Sequence, residues 1–206
     1  MQKFFSVLSL LLPLLSGSPG QAAPNNEPKR LRVLTSFLPV YCFAANVAGD
    51  RAVVENLLPA NMGPHDYQFS RRDLEKVSRA DLILVNGLGL ETWLEKLLRN
   101  TPGSRAVVAV SDGLTNEWIT GRPGHQHAHD AHDEHDAHAH PPGAPNPHLW
   151  LDPRLAMSAV TNVLNAFRKA DPANAAAYEA NANAYLARLK KLDEDFAAGL
   201  APARNA

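Results

Sequence analysis

The stretch that most constrains this chain is short: Asp81 to Asn86, whose middle residues are Leu82, Ile83, Leu84 and Val85. A strand with one wet face alternates apolar and polar residues. An unbroken apolar run bounded by Asp and Asn instead suits a strand covered on both faces, as in a parallel sheet between layers of helices. Parallel strands cannot be joined by tight hairpins, so each needs a crossover, usually a helix.

The rest of the chain meets that requirement. Leu31 to Ser36 is a β-rich run in which Val33 and Leu34 suit burial, and Pro39 then permits a helix that Gly49 can close. Ala52 to Leu58 reads as a second strand ended by Pro59, with a loop over 59 to 69. Ser70 and Asp73 are spaced as a capping box at the start of a helix whose buried side carries Leu74 and Val77. Glu91 to Asn100 has helical spacing through Trp93, Leu94, Leu97 and Leu98, and Ala106 to Val110 supplies a fourth strand. The expected fold is α/β: a Rossmann-like lobe with a four-stranded parallel sheet and flanking helices.

From Ser111 the pattern lapses into a loop, expected to be disordered over about 121 to 145, that leaves through the proline-rich PPGAPNP. Asp152-Pro153 and Asp171-Pro172 each pair a capping side chain with proline at the first helical position, so each should open a helix. In the second, Tyr178, Ala182, Tyr185, Leu189, Leu192, Phe196 and Leu200 fall on one stripe at intervals of three and four. The expected division is a lobe over 24 to 170, a long amphipathic helix over 171 to 201, and a tail over 202 to 206.

Residues 1 to 23 combine Lys3, an apolar stretch from Phe4 to Leu15, and small residues ending in Ala22 and Ala23. They read as a signal peptide cleaved near Ala23, since about a dozen apolar residues fall short of the ~20 that span a bilayer. Export to the periplasm is expected, with no direct membrane insertion after cleavage. Cys42 is the single cysteine, so no internal disulfide is available. Its place in the first helix suggests burial as a small core residue, and no cysteine follows the cleavage region to carry a lipid. Lys and Arg number 20 against 21 Asp and Glu, which gives no field to gather nucleic acid or an anionic membrane.

The chemistry lies in the histidines. Of nine, all but two lie in one acidic tract: His125, His127, His129, His132, His135, His138 and His140, interleaved with Asp130, Asp133, Glu134 and Asp136. Imidazole and carboxylate are both zinc ligands, and at a reference pKa of ~6.5 most imidazoles offer a lone pair near neutral pH. The tract should bind Zn, Cu or Ni ions without a rigid geometry to choose among them. The alternative is a solvated loop with incidental metal affinity. His65, in GPHDYQ after the second strand, and His148, in NPHLWLDP before a helix, stand apart. Loops beyond the carboxyl ends of parallel strands line the ligand crevice, and His65 falls there.

These residues carry a resemblance. PHDYQFSRRDLEKVSRADLILVNGLGLETWLEKLL, the histidine tract and PHLWLDP, in that order, resemble the zinc/manganese family of ABC-transporter substrate-binding proteins, over Leu31 to about Leu200. The resemblance implies two α/β lobes joined by a long backbone helix, with metal in the cleft between them and an ABC-importer membrane permease as partner. His65 and His148 match the family's first two ligand positions, and the helix from Pro172 to Leu200 matches the inter-lobe helix. The third and fourth ligands, a histidine or glutamate and then a carboxylate, belong to a second lobe that would begin shortly after Ala206 and is expected to be missing, the chain reading as truncated after its N-terminal lobe and backbone helix. Two departures stand out: Pro64, where some relatives place an acidic residue before the first histidine, and Asn146, where an aspartate usually stands two residues before the second.

Zinc favours about four ligands, so His65 and His148 supply half a shell. Tract histidines could contribute more, since the stretch from His140 to His148 spans up to ~27 Å when extended. The expected function is periplasmic capture of a metal ion, Zn2+ in preference to Mn2+, for an ABC importer. A stand-alone zinc buffer or chaperone, or a non-transporting relic, is the alternative. An enzyme is not expected: there is no HExxH, and Thr92 stands where a dinucleotide fingerprint would need its third glycine after Gly87 and Gly89.

Overall fold

The computed structural model describes residues 29 to 65, 67 to 103, 105 to 114 and 145 to 205. The signal-peptide reading and all seven tract histidines lie outside the described residues. Among the described residues four strands form one sheet: β1 (Leu31–Thr35), β2 (Ala52–Asn56), β3 (Leu82–Val85) and β4 (Ala106–Ala109). Their order is β2-β1-β3-β4 and every pairing is parallel, with Val33 opposite both Val54 and Leu82, and Leu84 opposite Val108.

Among the described residues five α-helices connect and cover the sheet: α1 (Leu38–Ala48), α2 (Arg71–Arg79), α3 (Thr92–Arg99), α4 (Pro153–Ala170) and α5 (Ala175–Leu200). The chain steps from β1 to β2 in one direction and then to β3 and β4 in the other. Right-handed crossovers therefore put α1 on one face and α2 and α3 on the opposite face. α4 and α5 pack together and against α1. The central strands are sealed on both sides, as the apolar run predicts: Leu82, Ile83 and Leu84 on β3, and Val33 and Leu34 on β1, are all buried. β4 is an edge strand with Val107 exposed.

Local signals act largely where expected. Asp73 accepts from the Ser70 backbone N–H at 2.7 Å and its hydroxyl at 2.8 Å, tying the start of α2. Asp152 accepts from the Arg154 N–H at 2.8 Å and caps α4. Gly49 ends α1 with φ of 55°, and a Cβ there would lie 2.6 Å from Asn181 Nδ2, so α5 docks on α1 at a point only glycine allows.

One expectation is corrected and two are refined. Cys42 is exposed: the buried stripe of α1 is Val40, Phe43, Ala44, Val47 and Ala48, and Cys42, two residues from both Val40 and Ala44, faces the other way. Asp171-Pro172 opens the helical segment as expected, but its first turn is not α-helical. A single 3-10 turn, Pro172–Asn174, precedes α5, and the Asp171 carboxylate takes the Tyr178 hydroxyl at 2.7 Å and Asn174 Nδ2 at 2.8 Å. The stripe of α5 is half buried. Tyr178, Ala182 and Leu189 are covered by the lobe, whereas Leu192, Phe196 and Leu200 are exposed because the helix overruns the packed layer.

Candidate metal centre

The sheet changes winding direction between β1 and β3, and the crevice beyond their carboxyl ends is where this topology places ligands. Ser36 follows β1 and Asn86 follows β3, both buried, and the Glu91 carboxylate lies between them. Glu91 accepts from the Ser36 hydroxyl at 2.7 Å, the Asn86 N–H at 2.6 Å and the Gly87 N–H at 3.1 Å. Burial raises its pKa above the ordinary 4.5 even against these donors. The turn that returns Glu91 to these two amides runs through Gly87, Leu88 and Gly89, all with positive φ, at 83°, 56° and 77°. At Gly87 space also demands glycine, since a Cβ would meet Ser111 Oγ at 2.5 Å.

Two loops rise from this floor, and each carries one predicted ligand directly after a proline. The indole N–H of Trp93, in the first turn of α3, donates to the Pro64 carbonyl at 2.7 Å and so holds the residue before His65. Tyr67 stands edge-on to Trp93 at 5.1 Å, and its hydroxyl donates to buried Asp73 at 2.8 Å. Burial and that carboxylate push the Tyr67 hydroxyl up to about 12. On the other side Asn86 Nδ2 donates to the Pro147 carbonyl at 2.9 Å and so holds the residue before His148. The His148 ring packs edge-on to Trp150 at 5.2 Å, and Trp150 in turn packs on Phe37 at 4.8 Å. Asn146 Oδ1 accepts the His148 backbone N–H at 3.0 Å and lies 2.8 Å from ring Nδ1.

The result is a pair of imidazoles with ring centres 5.6 Å apart and planes inclined at 46°. An ion 2.0–2.1 Å from one nitrogen of each ring would sit about 3 Å from each ring centre, so rings sharing an ion need centres within roughly 6 Å. This pair meets that distance. Among the described residues no group of three or more His, Cys, Asp or Glu is gathered. A cavity of about 490 Å³ opens beside His65, lined by Tyr67, Phe69, Trp93 and Lys96.

Sequence reading singled out His65 and His148 but not the residues that hold them. Trp93 and Asn86 reach backbone carbonyls, which carry no side-chain signature. The available clue was the repeated Pro-His pair, with Asn86 as a polar end to an apolar run.

Comparison with known proteins follows the same lines. The family model described as ZnuA, zinc-uptake complex component A, periplasmic, matches residues 33–206. The chain is 30% identical over 208 residues to the zinc-binding protein AdcA of Streptococcus pyogenes, covering 98% of this chain and 40% of that one. It is 30% identical over 205 residues to the manganese ABC transporter substrate-binding lipoprotein PsaA of Streptococcus pneumoniae, covering 95% of this chain and 60% of that one. The structure of the substrate-binding protein FpvC of Pseudomonas aeruginosa with Ni2+ superimposes with a TM-score of 0.68 at 27% identity, over 84% of this chain and 55% of that one. The chain thus spans about half the length of the relatives it matches.

Proposed function

Because the chain belongs to the periplasmic zinc-uptake complex component A family, we propose that it captures a divalent metal ion, Zn2+ in preference to Mn2+, at His65 and His148 for delivery to an ABC-importer permease. The observation that carries this reading is the pair of imidazoles 5.6 Å apart at the carboxyl rim of the sheet, each on a loop pinned one residue earlier. Relatives named for zinc and for manganese support metal capture as the task. The preference for zinc rests on the two neutral nitrogen donors, since manganese favours oxygen. In this reading residues 1 to 23 direct export to the periplasm, 24 to 170 form the metal-binding lobe, and 171 to 201 form the helix that leads to a second lobe. The protein binds and releases its cargo and catalyses no reaction.

Calorimetric zinc titration of the full chain tests this. One dominant tight event is expected, lost in His65→Ala and in His148→Ala. It should weaken as the solution is acidified, because protons compete with the ion for the imidazole lone pairs. A flat profile from pH 7.5 to 5.5, or unchanged binding in both variants, would overturn the assignment.

The tract of seven histidines favours a second reading, a periplasmic zinc buffer or chaperone. That reading expects several weak events in place of one tight one, and their loss when residues 125 to 140 are deleted. The first reading expects the tract to act as an auxiliary collector, so the same deletion should lower total zinc bound and leave the tight event in place, weakened at most.

A further inference from the structure

Beside His65, the loop after β2 and the start of α3 frame a cavity of about 490 Å³, inside the ~300–1,000 Å³ range of small-molecule sites. Its wall is aromatic, formed by Tyr67, Phe69 and Trp93. The polar ends of two of these are already engaged: the Tyr67 hydroxyl donates to Asp73 at 2.8 Å, and the Trp93 indole N–H donates to the Pro64 carbonyl at 2.7 Å. Their rings meet edge-on at 5.1 Å and both residues are buried. They therefore bring apolar ring surface to the cavity, and their positions are set before anything enters. The polar lining comes from Gln68, Thr92 and Lys96, all exposed. Among the described lining residues Lys96 is the one Lys or Arg, and none is Asp or Glu. The adjacent carboxylate, Glu95, lines a different hollow and pairs with Arg99 at 3.4 Å.

We propose that this cavity is a second binding site, for a small organic carboxylate with a flat apolar body. The body lies against Tyr67, Phe69 and Trp93, and the carboxylate meets the Lys96 ammonium, with the Thr92 hydroxyl and the Gln68 amide as further donors in the same lining. Charge decides the class of ligand. An aromatic wall by itself also suits an organic cation. An ammonium in the lining repels that cation and attracts the opposite charge. A neutral molecule of the same shape keeps the ring contacts and forgoes the ion pair. The site needs no ion at His65 and His148, so it stands apart from the reading of those residues as ligands.

The test uses the full chain, metal-free and 15N-labelled, and follows the indole N–H signal of Trp93, one of three tryptophans, identified by its loss in Trp93→Phe. Three probes share one ring and differ in charge: phenylacetate, phenylacetamide and 2-phenylethylammonium. Phenylacetate should shift the signal saturably. Phenylacetamide should bind about two- to fivefold more weakly, the worth of one exposed ion pair, and 2-phenylethylammonium more weakly again. Lys96 is exposed, so Lys96→Gln keeps the fold. In that variant phenylacetate should fall to the affinity of phenylacetamide, which itself stays at the parent value. The proposal is overturned by the absence of a saturable shift with phenylacetate, by a cation bound as tightly as the carboxylate, or by the parent preference persisting in Lys96→Gln. With no metal in the sample, failure of His65 and His148 to bind zinc would leave all of these outcomes unchanged.

Discussion

Trp93 and Pro64 are joined by a single hydrogen bond, the indole N–H donating to the proline carbonyl at 2.7 Å, and this bond ties the His65 loop to the first turn of α3. Trp93→Phe removes the donor and keeps an aromatic ring against Tyr67. Loss of about 1 kcal/mol of unfolding free energy is expected, together with a several-fold weaker tight zinc event. Urea denaturation and zinc titration of the same variant measure both.

Asn86 and Asn162 allow a matched comparison. Each uses Nδ2 to hold two carbonyls, Asn86 those of Pro147 and Gly87, and Asn162 those of Val110 and Asp112. Only the first pair lies under a predicted ligand. Alanine at either position should lower stability by about 1–3 kcal/mol. Zinc affinity should fall in Asn86→Ala and stay at the parent value in Asn162→Ala.

Tyr67→Phe takes one donor from Asp73, which is buried and otherwise held by Ser70. A hydrogen bond to a charged group is worth about 1.5–3 kcal/mol, and a loss in that range is expected. The variant should also expose the start of α2 to faster amide exchange, which hydrogen–deuterium exchange over residues 70 to 75 would detect.

The dependence of stability on pH should have two limbs of opposite sign. Asp73, Asp81, Asp152 and Asp171 all titrate below the ordinary 3.8. At Asp152 the Arg154 side chain is the main cause, and at the other three burial opposes ionisation but hydrogen-bond donors outweigh it. Their contribution is present above 3.8 and is lost as pH falls through the lowered folded values. Glu91 is lifted above 4.5 by burial, so its contribution is complete below 4.5 and is lost as pH rises through the raised folded value. Glu91→Gln should abolish the second limb alone, as read from urea midpoints over a pH series.

The α5 stripe should divide in two when substituted. Tyr178 is fully buried, packs edge-on to Phe167 at 5.0 Å and donates to Asp171, so Tyr178→Ala should cost about 3–5 kcal/mol. Phe196 is half exposed, and Phe196→Ser should change stability by no more than about 0.5 kcal/mol. Thermal or urea unfolding of the two variants separates them.

That division marks where sequence reading reaches its limit. Strands and helices were legible because their signals are local: the apolar run of β3, the Ser70–Asp73 spacing, and proline after Asp152. The stripe from Tyr178 to Leu200 was legible as a face, but periodicity says nothing about how far the surface beneath it extends, and that surface ends near Leu189. Cys42 was misread for a related reason. Residue type favoured burial, while helical phase, visible once Val40 and Phe43 are seen to point inward, decided for exposure. At the candidate centre, the two histidines could be picked out by their Pro-His setting. Their closeness could not, because it depends on the β2-β1-β3-β4 order and on bonds from Asn86 and Trp93 to main-chain oxygens.

The turn after β3 has one further consequence. Backbone amides converging at a left-handed glycine turn before a helix form a ready cradle for an anion, and other proteins of this topology receive a phosphate there. Here the cradle is filled from within, by the carboxylate of Glu91 on the amides of Asn86 and Gly87. The chain is its own counter-ion at that point. An anion would have to displace the buried Glu91 side chain from both amides to enter there.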